Sequence, residues 1–421
     1  MRVLISKSKA NGVVKAPSSK SYTIRSLMCA ALAEGQSRIV SPLESDDTIA
    51  ARECLSQLGV QIIGRDNLWL VEGGHLHAPE NVVFCRDSAA TLRFLAAICS
   101  VIPGRFTLSA GRSLAKRPVG VLVRALQQLG VECSANGELP PVHVNGGTLR
   151  GGVVYLPGDV SSQYVSALLM AAPLAKERVL INLTTPLESS PYVSMTVDCM
   201  NKFGVTINMA KDMQKFEVSP QKYIATAYNV EGDWTSASYF LGLGALAGEV
   251  TVTNLDIDTF QADKKIIDIL MAMGADIRVN GEKITVRESP LKAVEVDLSD
   301  CIDLLPTVAV LAAVARGTSL LYGIGRARIK ESDRIRAVRA DLERMNVTVK
   351  EGKDSLSITG TWPSGAVIDS FSDHRIAMAF GILGTLVGQT EIEGAECVDK
   401  TYPDFWSVLK NIGGKLEFKN G

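Results

Sequence analysis

Helix endings recur along this chain at a spacing of roughly 70 residues. They read Leu58-Gly59-Val60, Leu129-Gly130-Val131, Phe203-Gly204-Val205, Met273-Gly274-Ala275, Met345-Asn346-Val347 and Ile412-Gly413-Gly414. A helix that stops needs a residue tolerant of left-handed backbone angles just past its end, and Gly and then Asn tolerate them best. A β-like alternation follows, as in Val60-Gln61-Ile62 and Val347-Thr348-Val349. Asn136-Gly137 and Asn280-Gly281 then predict hairpin turns. Before each such helix lies an Ala-rich one starting near Ser19, Arg86, Ser161, Asp233, Cys301 or Asp373. Stretches such as Ala167 to Ala172 and Leu311 to Ala315 are apolar nearly all round, so these first helices are expected to be buried on every side. A unit with one buried helix, one surface helix and strands between predicts an α/β fold with sheets outside and helices within.

Three units run from Ser19 to Pro220 and three from Asp233 onward. The 421 residues suffice for two full cores. The boundaries expected are 15–229 for the first domain, and 1–14 with 230–421 for the second. The stretch Gln221 to Gly232 reads as a hinge. Met1 to Gly12 reads as a strand rather than a signal peptide, and residues 2–6 are free to complete the sixth unit.

Equivalent helix starts in stacked repeats point the same way, and cations stand at or near most of them: Lys20, Arg25, Arg93, Lys330, Arg334 and Arg375. A formal net charge of −1 argues against nucleic acid or anionic lipid as partner, so anion affinity must come from this local clustering. The run Ile376 to Gly388 is shorter than the ~18 residues of a membrane span, and the protein is expected to be cytoplasmic. None of the eight cysteines forms a C-x-x-C pair, which suits reduced, buried thiols.

The individual motifs each admit a plain alternative. Ser19-Lys20-Ser21 with Arg25 suits a phosphate or carboxylate at a helix start, or a simple cap with a solvated Lys. Ser161-Ser162-Gln163 is a cap or a set of uncharged donors. Lys330 and Arg334 flank Glu331 and would keep it ionised, with Ser332 or Asp333 as cap. Asp373-His374-Arg375 puts an Arg at the edge of an apolar helix, costly without a partner or an anionic ligand. Arg117-Pro118 fits a helix entry with Pro as first helical residue, and Lys400 to Asp404 is alike. Asp303 interrupts an apolar stretch as a cap or a base, and the direction of its titration is open. There is no phosphate-loop motif and no His/Cys cluster at metal-ligand spacing, and Gly242 to Ala247 matches a dinucleotide fingerprint by letter only, inside a helix.

Taken in order, these motifs, with Val230 to Phe240, resemble the 5-enolpyruvylshikimate-3-phosphate synthase family along the full chain. The resemblance implies two similar domains, each of three βαβαββ units (an inside-out α/β barrel), with the active site in the cleft between them. It implies transfer of the enolpyruvyl group of phosphoenolpyruvate to the 5-hydroxyl of shikimate 3-phosphate, with release of phosphate, no cofactor, no metal, and a monomer. By motif match, Lys20, Ser21, Arg25, Ser161, Ser162, Gln163, Ser189, Tyr192, Asp303, Arg326 and Lys330 would hold shikimate 3-phosphate. Lys20, Ala89, Arg117, Gln163, Arg334, Arg375 and Lys400 would hold phosphoenolpyruvate. Asp303 would be the general base, and Glu331 with Lys20 would handle the proton at the methylene carbon. Two places depart from the family pattern. Ala89 stands where a Gly is usual, within Asp87 to Arg93, whose first residue is usually Asn; and Arg326 stands where Asn is usual. The sister transferase acting on UDP-N-acetylglucosamine normally carries a Cys in the loop that here reads Ala110 to Pro118 without one. A non-catalytic anion-binding repeat protein would need the cations but neither Asp303 nor Glu331.

Overall fold

A computed structural model describes residues 1–65 and 67–419. The chain forms two compact units, Ser18–Val230, and Met1–Pro17 with Glu231–Gly421. Each contains three four-stranded sheets, and in each sheet one neighbouring pair is parallel and two are antiparallel. In four sheets the parallel partner is the strand before the first helix of the same repeat, and in five an antiparallel hairpin follows the second helix. In the third repeat, Gly152–Leu156 lies parallel to Val179–Leu183, which pairs antiparallel with Lys215–Val218. This is the inside-out α/β arrangement: the helices Lys20–Leu32, Ala89–Ile98 and Ser162–Ala171 lie in one core, and Trp234–Ala247, Leu305–Val314 and His374–Val387 in the other.

Local rules account for most boundaries. Gly59, Gly130, Gly204, Gly274, Asn346 and Gly413 all carry positive φ, between 62° and 111°. The first helices are capped where the sequence offers a short acceptor. The Ser19 hydroxyl accepts from Tyr22 N (3.4 Å), the Asp233 carboxylate from Ser236 N (2.7 Å) and the Asp373 carboxylate from Arg375 N (3.1 Å). Every residue of Trp234–Ala247 is buried, with the Thr235 and Ser238 hydroxyls hydrogen-bonded among its otherwise largely apolar side chains.

Three expectations need correction. Residues 221–232, where the boundary between the units falls, are not all linker: Ala227–Asn229 is a parallel strand beside Gly35–Val40, in the sheet of the first repeat. Met1 to Gly12 is not one strand, because Arg2–Ser6 and Ala10–Lys15 enter different sheets with the polar Lys7-Ser8-Lys9 between them. The strand 2–6 does complete the sixth repeat, between Thr390–Glu393 and Lys415–Lys419. The strand Ala10–Lys15, which precedes the first repeat in the chain, instead joins the sheet of the fourth. The two units thus exchange leading strands, and residues 15–17 stay with the second: Lys15 pairs with Thr253, and Asp233 N donates to Pro17 O. Finally, Pro118 is not the first helical residue. The helix starts at Gly120, because Val119 N and Gly120 N both donate to Glu138 O on the adjacent hairpin.

Glycines close the ends of the hairpins against the buried helices. A Cβ on Gly146 would lie 2.0 Å from Ile102 O and 2.2 Å from Cys99 O, both backbone atoms. Gly146→Ala is therefore expected to cost about 1–3 kcal/mol and to lower the melting temperature by about 5 °C. A calorimetric scan that leaves the transition in place would show that this strand end yields freely.

Candidate active site

In the unit Ser18–Val230, polar groups gather at the starts of the buried helices. Lys20, the first residue of its helix, pairs through Nζ with Asp47 Oδ2 at 3.0 Å. Arg25, one turn on and 2% exposed, is held from three sides: Nε donates to Thr196 Oγ1 (2.8 Å), Nη1 to Ser21 O (3.0 Å) and Nη2 to Tyr192 O (3.0 Å). Burial pulls its titration below the ordinary arginine value. These bonds tie the first helix to Ser190–Lys202, whose cap residue Ser189 is buried and has φ of 53°. Ser21 and Tyr192 stay half-buried.

Arg93, one of the cations at helix starts, is given no ligand by motif match. Its Nη1 donates to Gln163 Oε1 (2.7 Å), its Nη2 donates to Pro118 O (3.0 Å), and its guanidinium lies 5.0 Å from the ring centroid of Tyr164. The Tyr164 hydroxyl donates to the same Pro118 carbonyl at 2.6 Å. Gln163 is thereby oriented, and Arg117, itself buried, is fixed through its neighbour. The signal was available, since a lone cation inside Leu92-Arg93-Phe94-Leu95 must find partners. Asp47 was overlooked for a different reason: an acidic residue in a first helical turn reads as a dipole partner.

Asp87, unexplained by sequence, also has a structural task. Its Oδ1 accepts from Ser113 N (2.9 Å) and Leu114 N (2.8 Å), folding the loop that leads to Arg117. Ala89 is the first residue of its helix and is buried, and Ser161 caps the Ser162–Ala171 helix by accepting from Gln163 N. Ser162 is buried at the same helix start.

In the other unit, cations and carboxylates interlock. Asp303 Oδ1 lies 2.6 Å from Arg334 Nη1, its Oδ2 lies 2.9 Å from Arg375 Nη2, and Lys330 Nζ stands 3.9 Å away. Arg334, 1% exposed, also donates from Nη2 to Glu331 Oε2 (2.6 Å) and from Nε to Asp373 Oδ2 (2.7 Å). The Ser332 hydroxyl donates to Asp373 as well (3.0 Å). Of the two candidate caps it is Asp333 that caps Arg334–Arg344. Asp303 does not cap the apolar helix it precedes; it faces its cations. Burial alone would push its carboxyl up, but Arg375, Lys330 and Arg334 outweigh burial and hold it well below the usual carboxylate range. Three carboxylates raise the Arg334 guanidinium above its ordinary value against the pull of burial.

Two more of the expected residues lie on turns. Arg326, on the turn Gly325–Ile329, donates to the Ser299 carbonyl. Lys400 is half-buried at the end of the turn Ala395–Lys400. His374 is wholly buried in the first turn of its helix, and the cap bond there comes from Arg375 N. Among the described residues no group of three or more His, Cys, Asp or Glu is arranged to hold a metal ion, and no helix is long and apolar enough to cross a membrane.

The chain is similar along nearly its whole length to known proteins. The family model for EPSP synthase (3-phosphoshikimate 1-carboxyvinyltransferase) matches residues 5–409. A 3-phosphoshikimate 1-carboxyvinyltransferase of Dehalococcoides mccartyi (strain ATCC BAA-2100 / JCM 16839 / KCTC 5957 / BAV1) is 49% identical over 99% of both chains. One of Methanosphaera stadtmanae is 42% identical over 96% of this chain and 97% of its own. The solved EPSP synthase of Acinetobacter baumannii superposes with a TM-score of 0.83 at 26% identity, covering 99% of this chain and 100% of that one.

Proposed function

We propose that this chain, which belongs to the EPSP synthase family, transfers the enolpyruvyl group of phosphoenolpyruvate to the 5-hydroxyl of shikimate 3-phosphate and releases phosphate. The observation that carries the reading is the Asp303 carboxylate, kept ionised between Arg334 and Arg375. A binding protein gains nothing from an anion placed among its anion-binding cations. A transferase needs one to take the hydroxyl proton.

In this reading Lys20, Ser21, Arg25, Ser161, Ser162, Gln163, Ser189, Tyr192, Arg326 and Lys330 hold shikimate 3-phosphate. Arg117, Arg334, Arg375 and Lys400 hold phosphoenolpyruvate, beside Ala89, with Lys20 and Gln163 reaching it too. Glu331 and Lys20 deliver a proton to the methylene carbon, the 5-oxygen attacks the adjacent carbon, and Asp303 takes the hydroxyl proton. The resulting intermediate carries two phosphates and a carboxylate, which fixed cations stabilise without reorganisation. Loss of phosphate and of one methyl proton returns the enol ether. A depressed carboxyl is a weak base in the free enzyme. When substrate anions draw Arg375 and Lys330 toward themselves, the hold on Asp303 relaxes and its basicity rises.

Phosphate release with shikimate 3-phosphate and phosphoenolpyruvate, with UDP-N-acetylglucosamine as control acceptor, tests the assignment. Release with the control alone would overturn it. The free thiols of all eight cysteines support a cytoplasmic site of action.

The Ala89 methyl also makes a specific expectation. Glyphosate, the family's longer competitive inhibitor, is crowded by it more than phosphoenolpyruvate is. Ala89→Gly is expected to lower the glyphosate inhibition constant by about 5- to 100-fold, the equivalent of relieving about 1–3 kcal/mol of overpacking. An unchanged constant would show that the methyl points clear of the inhibitor.

A further inference from the structure

Asp263 has no place in the reaction outlined above, yet it is buried (3% exposed) within electrostatic reach of it. It lies on the turn Ala262–Lys265, packed against the start of the Trp234–Ala247 helix. Its Oδ2 is hydrogen-bonded to the Thr235 hydroxyl, and its Oδ1, also out of contact with solvent, has no hydrogen-bond partner. The charged and titratable groups that face it are Asp303 and Cys301 from the segment before Leu305–Val314, Arg375 from His374–Val387, and Asp233 from the Trp234 helix start. The lysines of its own turn are engaged elsewhere: Lys264 Nζ donates to Ile257 O and Thr259 O, and Lys265 Nζ to Asp297 O. Asp268, on the helix that follows, is exposed to solvent.

The local charge count gives this carboxyl its meaning. Lys330, Arg334 and Arg375 are already matched by Asp303, Glu331 and Asp373. A fourth anion beside this cluster would leave its carboxylates outnumbering its cations before any substrate arrives, and both substrates are anions. A carboxyl oxygen buried with no donor also favours the protonated form, whose O–H needs only an acceptor.

We propose that Asp263 is a positioning residue of this site, a neutral carboxyl that braces Thr235 at the helix start and leaves the Arg375–Asp303 pair free to receive anionic substrate. The inference rests on the functional reading above. Burial, then repulsion from Asp303, pushes the Asp263 carboxyl up to about 7, with Thr235 and Arg375 pulling the other way, so the neutral form persists into the working pH range. Above that range Asp263 ionises, and the site loses affinity for phosphoenolpyruvate.

The test is KM for phosphoenolpyruvate from pH 6 to 9 at saturating shikimate 3-phosphate, for the wild type, Asp263→Asn and Thr235→Val. Titration of the substrate itself is common to all three and cancels in the comparison. The wild-type KM is expected to rise about fivefold more across the range than that of Asp263→Asn, the effect of one unscreened charge nearby, while kcat changes less. Thr235→Val removes a donor that favours the ionised form and should move the rise to higher pH. A rise unchanged in Asp263→Asn, or activity lost at every pH by a folded Asp263→Asn, would overturn the proposal. If Asp263→Asn does not fold, Thr235→Val decides alone, and an unmoved rise counts against it. A wild type that releases no phosphate would sink the functional reading first, and melting curves would then still report on Asp263. An acid whose titration is raised lends stability below its unfolded value and withdraws it as pH climbs to the folded one. The wild type should therefore lose stability relative to Asp263→Asn between about pH 4 and 7; parallel curves would overturn the raised titration and the proposal with it.

Discussion

Replacing Asp303 by alanine is expected to cut phosphate release by about 10²–10⁴-fold while shikimate 3-phosphate still binds. The carboxylate sits between Arg334 and Arg375, so its loss removes the proposed base and frees two cations at once. The phosphoenolpyruvate KM should therefore hold steady or fall, and the damage should appear in kcat. Stability should drop by about 3–5 kcal/mol, because two buried guanidinium groups lose an anion. Substrate anions should restore more stability to this variant than to the wild type, since they fill the missing charge. Titration calorimetry for binding and a phosphate assay for turnover separate the effects. Turnover near the wild-type rate would remove Asp303 from the chemistry, and loss of binding and turnover together would make it a purely structural ion.

Arg334→Lys is expected to be the most damaging conservative change in the chain. Arg334 is fully enclosed and bridges Asp303, Glu331 and Asp373 with separate nitrogens of one planar fork. A lysine keeps the charge but offers a single point, so at most one or two carboxylates stay paired. Leaving a buried carboxylate uncompensated costs about 3–5 kcal/mol, a fall in melting temperature of about 10 °C or more for a unit of this size. The pH dependence supplies a second check. Asp303 titrates well below the ordinary range, so the stability it contributes is present above its unfolded value and is lost as pH falls through its folded one. Weakening its cation partners raises the folded value, so acid unfolding of Arg334→Lys should begin at higher pH than in the wild type. An unaltered acid midpoint would mean that Arg375 and Lys330 alone set the Asp303 ionisation.

Parts of the site could be read before any coordinates. Helix starts carrying Lys20, Ser161, Asp333 and Asp373 follow from capping and charge preferences acting within a few residues. Arg93 could be counted among the cations, but its partners could not be read because they lie far along the chain: Gln163 is 70 residues away. The bond from Arg326 to the Ser299 carbonyl, 27 residues away, was likewise beyond the reach of local rules.

The repeat itself belongs to the sequence alone. Residues that end a helix with left-handed angles, and helices too apolar to face water, are constrained by their own chemistry, so six units and their buried helices were readable directly. Partnership across the chain was settled only by folding. Nothing in a strand's composition says that Ala10–Lys15 and Ala227–Asn229 exchange places between repeats, because any β-capable edge of matching length satisfies the same backbone hydrogen bonds. Nor does the sign of a charge name its counter-ion. Asp303 meets Arg334 and Arg375 from 31 and 72 residues away because three helix starts converge, and that convergence exists only once the core between them is packed.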